Sequence, residues 1–443
     1  MEVIFIDSEP QDAAGGGIRT YIRLAMRTCR EAGHSARVYT HNPNAYPGEN
    51  VTPIGRRPWL RRPVCGVAYR LLYHENVLWE HAYWLNSELE AGDAPGRVYE
   101  FCDFQGYGFF ALRNKVLRGR TMVRVHTPSF LVPAPAGRCR ERLSARLGAW
   151  REKDCLRRAK HITVPSAEFV KEKLPWLRNW AHVPNPMPPE TDAEEIASRY
   201  ASASLPNAFD PSRQPAGDSA ATIPERFSGD GSGWSPAPED PAEMAERNAP
   251  RPTRILPDRF LYLGRLEERK GVLVLVRAFA RLAAERPYAY LTLAGGTTTG
   301  PYAAAIRYLV ESQPAHIRAR ILFEGPCPPE KRGELFARFT ALVAPSLWEN
   351  SPYVYFEGMA AGLSCIGSAT GEMKAVAAVT GALTARPGDE NDWLRALRAH
   401  CLGSDRGALP AQTAYLRESR RTIPGLLLAA WSRVASEPKA GGA

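Results

Sequence analysis

The stretch APSLWENSPYVYFEGMAAG, Ala344–Gly362, decides how the rest of the chain is read. It starts where a short apolar run, Ala341-Leu342-Val343-Ala344, predicts a buried parallel strand ending at Pro345-Ser346. Pro352 suits the first turn of a helix running through Tyr355–Ala361 to Gly362. Two carboxylates, Glu349 and Glu357, stand eight residues apart. On one helix that spacing would place them on different faces. With Glu349 in the loop and Glu357 in the helix, both can point into one crevice beyond the strand end, where open α/β sheets bind ligands. Taken alone, the pair also fits a solvated loop charge and a carboxylate favoured by a helix dipole.

The upstream sequence shifts that balance. Gly264-Arg265-Leu266-Glu267-Glu268-Arg269-Lys270-Gly271 follows a second apolar strand, Phe260–Leu263, and leads into another helix. A strand, a basic loop and a helix N-terminus in that order make a site for a phosphate group. Near the start, Val3–Ile6 predicts a strand, Gly15-Gly16-Gly17 a close turn, and Ile18–Ala32 a helix. Those glycines suit a tight turn and the close approach of a ligand equally well. They do not form G-x-G-x-x-G, so no dinucleotide fingerprint is present.

Together, GRLEERKG, the PS-x2-E-x7-E segment and GMAAG resemble the retaining nucleotide-sugar glycosyltransferases of the GT-B fold, often called family four. The resemblance covers nearly the whole chain and implies two Rossmann-like parallel-sheet domains facing a central cleft. It implies transfer of a hexose-type sugar from a nucleoside diphosphate to a hydroxyl acceptor. It also implies catalytic roles for Arg265, Lys270, Glu349 and His126. Donor contacts would come from Gly16, Gly17, Arg265, Lys270, Glu349, Asn350, Ser351 and Glu357. Glu357 would hold the ribose hydroxyls and Glu349 the hydroxyls of the transferred sugar. Glu100 and Asp103, ahead of Gly106-Tyr107-Gly108, would lie on the acceptor side. His126, which position alone reads as structural, takes the place of a histidine that contacts the sugar in the family.

In that family attack comes from the front face and a donor phosphate oxygen takes the acceptor proton. No dedicated base, cofactor or metal is then expected, and the chain has no Asp-x-Asp. Arg265 offers a planar fork and Lys270 a mobile point charge for the departing diphosphate. One segment departs from the pattern. Where the family has G-G-x-P-E, this chain has Gly371-Glu372-Met373-Lys374-Ala375, so the later glutamate is replaced by Ala375. Two other readings remain open: a synthase or phosphorylase on the same fold, and a catalytically silent nucleotide-sugar binder.

Composition sets the outer bounds. At 443 residues, 44% hydrophobic and 23% charged, the chain is that of a multidomain globular protein. The start MEVIFIDSEP lacks the marks of a signal peptide, and no apolar run reaches membrane-spanning length, which predicts a cytoplasmic protein. Eight scattered cysteines with no CxxC pair predict reduced thiols. The net charge of +10 is uneven: residues 190–254 hold twelve acidic and six basic residues, leaving +16 elsewhere. Anionic lipid, an anionic acceptor or plain solvation each fit the basic remainder, and no nucleic-acid module accompanies it. The basic, aromatic segment 56–92 makes peripheral contact with an anionic membrane an expectation.

Alternating strands and helices predict an acceptor-side domain over residues 1–188 and a donor domain over 255–415. Between them, residues 189–254 are rich in Pro, Ser, Gly and acids and read as a disordered insertion. Residues 416–443 predict a last helix, broken at Pro424, that crosses back to the first domain, as the resemblance implies.

Overall fold

Thirteen strands among the described residues form two sheets, and every strand pair in both is parallel. The computed structural model describes residues 1–9, 16–54, 73–132, 139–189, 258–296 and 300–437. The expected insertion at 190–254, Gly15, and the arginines at 56, 57, 61 and 62 lie outside them.

The first sheet has seven strands in the order β3-β2-β1-β4-β5-β6-β7. They are β1 (Glu2–Asp7), β2 (Ser35–Thr40), β3 (Val51–Pro53), β4 (Arg97–Cys102), β5 (Thr121–Arg124), β6 (His161–Val164) and β7 (Trp180–His182). The second has six in the order β10-β9-β8-β11-β12-β13. These are β8 (Arg259–Leu263), β9 (Tyr290–Ala294), β10 (Ile321–Glu324), β11 (Ala341–Ala344), β12 (Ser364–Ser368) and β13 (Thr384–Ala385). Central strands such as β1 and β11 are apolar on both faces because helices cover both sides. The short edge strands β3 and β7 lack such runs and escape a reading based on apolar periodicity.

In each sheet the strand order reverses direction once, between β1 and β4 and between β8 and β11. Such switch points open a crevice at the C-terminal strand ends. The loops after β1, β4, β8 and β11 are those that carry most of the expected site residues. Two parallel-sheet, Rossmann-like domains in this arrangement are the GT-B architecture.

Two expectations about helices need correction. Pro352 is not in the first turn: it has extended backbone geometry (φ −78°, ψ 112°) and caps the helix Tyr353–Ala360. Pro424 does not break the last helix, which runs unbroken from Ala408 to Ala435. The proline forfeits one backbone hydrogen bond. Against that loss, Leu416, Ile423, Leu427, Trp431 and Val434 along one side are all buried. Burying five such side chains outweighs a local kink. They join a continuous core with Phe5 and Tyr21 of the first domain and Leu342 and Tyr355 of the second. The helix thus packs against both domains.

Candidate active site in the interdomain cleft

Two loops of the second domain build its side of the cleft. The loop after β8 makes a 3-10 turn over Glu268–Lys270 and ends at Gly271, whose φ of +65° is left-handed. A Cβ at Gly271 would stand 2.0 Å from the carbonyl oxygen of Pro345. Only glycine therefore lets this loop lie against the loop after β11. The two are then joined by a hydrogen bond from Leu347 N–H to Arg269 C=O at 2.8 Å.

That contact brings Glu349 onto the basic loop. Its carboxylate accepts from Arg269 Nη1 at 2.8 Å and from Lys270 Nζ, and Ser346 Oγ lies 3.3 Å away. Glu349 is 5% exposed, and burial alone would keep it protonated. The two cations, Arg269 first, outweigh burial and hold its pKa down at about 2. Lys270 is lowered from its usual value by burial, with Glu349 opposing that shift. Arg269, passed over in the sequence, is the structural cation here: it also binds Glu267 at 2.9 Å and lies over the Trp348 ring. Arg265 is the open one. Its side chain is 65% exposed and only 3.3 Å from Glu267 Oε1, so its guanidinium remains available to a ligand.

Glu357 lies in the second turn of its helix and is held by a partner the sequence did not single out. Arg332 Nη1 reaches its two oxygens at 2.5 and 2.7 Å. Burial raises the Glu357 pKa, with Arg332 opposing. The two glutamates are thus fixed by different cations, Glu349 by Arg269 and Lys270 and Glu357 by Arg332.

The first domain supplies the facing wall. Gly16 caps the helix Gly17–Glu31, and no side chain hydrogen-bonds at that cap. A Cβ at Gly17 would lie 3.9 Å from the Tyr353 ring, which places the glycine turn against the second domain. Glu9, before the turn, senses Arg265 across the cleft, and burial lifts its pKa to about 7. Sequence reasoning passed over Glu9 because it sits in a polar loop without a motif.

His126 follows β5 and is 9% exposed. Burial, then Arg124, hold its pKa well below the usual value, so the imidazole is neutral. Its ring meets Tyr21 edge-on at 5.0 Å between centroids. Its backbone is gripped from both sides. Asp103 Oδ1 accepts its N–H at 2.9 Å, and Asn350 Nδ2 donates to its carbonyl at 2.6 Å.

Two residues expected on the acceptor side are buried. Asp103 is 1% exposed and serves the His126 backbone; burial, then Glu152, raise its pKa to about 8. Glu100, 3% exposed, accepts from Tyr21 OH and Trp431 Nε1, each at 2.6 Å. Both lie beneath the cleft surface, because the strand end that carries them is covered by the returning helix and by His126. Asn350 is also redirected: its amide donates to Val125 and His126 carbonyls rather than into open space. Ser351 lies beside Glu372, whose buried carboxyl rises to about 7 through desolvation, with Ser351 and Arg124 opposing.

The departure at residues 371–375 is accommodated in the backbone. Gly371 has φ +54°, and a Cβ there would stand 2.0 Å from the carbonyl oxygen of Glu349. Glu372 N–H donates to Asn350 C=O at 2.9 Å. The small loop therefore packs on the Glu349 segment whatever the identity of residue 375. Among the described residues no group of three or more His, Cys, Asp or Glu is placed to hold a metal ion. No helix among them is long and apolar enough to cross a membrane.

Residues 257–401 match the family described as Glycosyl transferases group 1. No curated protein matches the chain. Among solved structures, the chain is similar to a sucrose-phosphate synthase from Thermosynechococcus elongatus, with TM-score 0.61 and 17% identity over 98% of this chain and 96% of that one. It is also similar to Alr3699/HepE of Anabaena in complex with UDP-glucose (TM-score 0.61, 13% identity, 98% and 99% covered). A third is WaaG, a glycosyltransferase involved in lipopolysaccharide biosynthesis (TM-score 0.56, 15% identity, 98% and 100% covered). The chain thus has the GT-B fold and carries a glycosyl transferases group 1 domain in its second half, and together these support a glycosyltransferase.

Proposed function

We propose that the protein is a retaining, metal-independent glycosyltransferase that moves a hexose from a nucleoside diphosphate sugar to a hydroxyl acceptor. The observation that carries this reading is the part-buried Glu349–Lys270 pair beside the open Arg265, at the second domain's switch point. Lys270 and Arg265 are placed to stabilise charge as it develops on a departing diphosphate. Glu349, ionised, accepts hydrogen bonds from sugar hydroxyls, and neutral His126 can donate or accept one more. Glu357, locked by Arg332, offers its free acceptor capacity to ribose hydroxyls. The acceptor oxygen bonds to the anomeric carbon on the face from which the diphosphate leaves. The carbon–phosphate-oxygen bond breaks, and the acceptor proton passes to the departing phosphate oxygen. This sequence requires no protein base.

UDP-glucose is the first donor to test, since it is bound in the Anabaena structure. A lipid-linked acceptor fits the first domain's surface. Leu143, Arg146 and Trp150 form an exposed stripe on the helix Cys139–Arg158, and Tyr83 is exposed on the helix Tyr73–Ala91. Aromatic and basic side chains on one face suit an anionic bilayer surface. The deciding experiment is a thermal-shift screen of nucleotide sugars, followed by product analysis by NMR with the best binder. Transfer with the anomeric configuration kept is the expected result. Binding without transfer or donor hydrolysis would favour a silent nucleotide-sugar binder, and an inverted product would overturn the retaining assignment.

A further inference from the structure

Asn350 is 2% exposed and belongs to the loop that carries Glu349, yet its side chain is committed to the other domain. Its Nδ2 donates to Val125 C=O at 3.2 Å and to His126 C=O at 2.6 Å. Its own carbonyl accepts Glu372 N–H at 2.9 Å, which ties the same residue to the loop after β12. Two positions earlier, Trp348 packs on the first domain's core beside Phe169, with ring centroids 6.1 Å apart. The same indole also lies against Arg269, the guanidinium that fixes Glu349. The segment Trp348–Asn350 therefore plugs into the first domain while its middle residue binds the second domain's cations.

We infer that Asn350 is a positioning residue that clasps the two domains together and sets His126 in register with Glu349. This rests on the glycosyltransferase reading for its catalytic consequence, but not for the clasp itself. The carboxamide is suited to the task because one NH2 group spans two successive carbonyl oxygens at a strand end. Asp103 holds the His126 N–H, so Asn350 completes the fixation of that peptide from the opposite side. Docking of the domains and alignment of His126 with the sugar-binding carboxylate then become one event.

Asn350→Asp tests this with almost no change in size, since it sets a carboxylate oxygen against two carbonyl oxygens. Asn350→Ala removes the donor without repulsion and guards against misfolding of the first variant. Spin labels carried by non-natural residues at the exposed positions Glu90 and Tyr308 report the interdomain distance by pulsed EPR. We expect either variant to broaden that distance distribution, to bind UDP-glucose within about threefold of the wild type, and to transfer sugar at least 30-fold more slowly through kcat. An unchanged distance distribution overturns the clasp. Donor affinity falling in step with turnover overturns it as well, and makes Asn350 a donor ligand. If the wild-type protein turns over no nucleotide sugar at all, the glycosyltransferase reading fails, while the distance measurement still decides the clasp.

Discussion

The carboxylate of Glu100 accepts the indole N–H of Trp431 at 2.6 Å, joining residues 331 positions apart. The other oxygen of Glu100 takes the Tyr21 hydroxyl, so both are satisfied inside the core. Removing one donor from such a pair leaves a buried acceptor unpaired, which costs more than the bond itself is worth. Trp431→Phe keeps an aromatic ring but no N–H, and should lower stability by roughly 1–3 kcal/mol. A chemical denaturation midpoint equal to that of the wild type would show that this bond contributes nothing.

The cations at Lys270 and Arg265 should separate by what else they do. Lys270→Ala leaves Glu349 paired with Arg269, so the fold survives while turnover falls about 100-fold or more. Arg265→Ala removes an exposed guanidinium, so the melting temperature should be unchanged and the loss confined to turnover. Steady-state kinetics and a melting curve on each variant make the comparison. Near-wild-type rates in both would remove the leaving-group assignment.

Glu349→Gln should behave in the opposite way. It strips the counter-charge from two cations that are largely out of water, which typically costs 3–5 kcal/mol, roughly, for a buried pair broken on one side. The wild-type pair also sets an acid limit. With the Glu349 pKa depressed to about 2, its contribution is complete above the usual carboxyl value and is lost as pH falls from about 4.5 towards 2. Stability measured against pH below 5 should fall more steeply for the wild type than for Glu349→Gln.

Glu372 and Asp103 have the reverse sign. Their pKa values are raised to about 7 and about 8, so the folded protein holds protons that the unfolded chain has released. Each therefore costs stability increasingly as pH rises from its ordinary value, 4.5 for Glu372 and 3.8 for Asp103, through its raised one. Buried histidines such as His126 run the other way, so the informative quantity is variant minus wild type at each pH. Glu372→Gln should gain on the wild type between pH 5 and 7, by up to about 1.4 kcal/mol per pH unit, and level off above. A difference that stays flat across that range would show that Glu372 titrates normally.

Metal independence is open to a direct check. Transfer measured after exhaustive chelation should match that of untreated protein, because fixed side-chain cations are assigned the leaving-group charge. Activity lost on chelation and restored by a divalent cation would move that role to a metal.

Much of this architecture is written in local sequence. Apolar runs bounded by glycine or proline locate β1, β4, β8 and β11, and the charge-rich loops behind them mark the cleft. What local sequence does not contain is partnership. Arg332 opens a short helix with no motif, and nothing near it in sequence points to Glu357, 25 residues on. Arg269 and Lys270 are adjacent and both cationic, and only the fold shows which is buried under Trp348. Glu100 and Asp103 read as acceptor-side carboxylates because the helix that covers one, and the histidine backbone that occupies the other, arrive from distant parts of the chain. Pro424 misleads for a related reason: its local cost is visible, while the core burial that outweighs it is not.

The path of the last helix also bears on the order of assembly during synthesis. All seven strands of the first sheet precede residue 183, but the side chain that closes over Phe5 and Glu100 is Trp431. A nascent chain must therefore make the whole second domain while an acid and an aromatic of the first remain without their lid. The second domain packs Leu342 and Tyr355 on the same helix, but it waits only for the short stretch between β13 and Ala408. On the ribosome the domain translated first is thus the one left open longest, and its uncovered face is where a chaperone would have reason to wait.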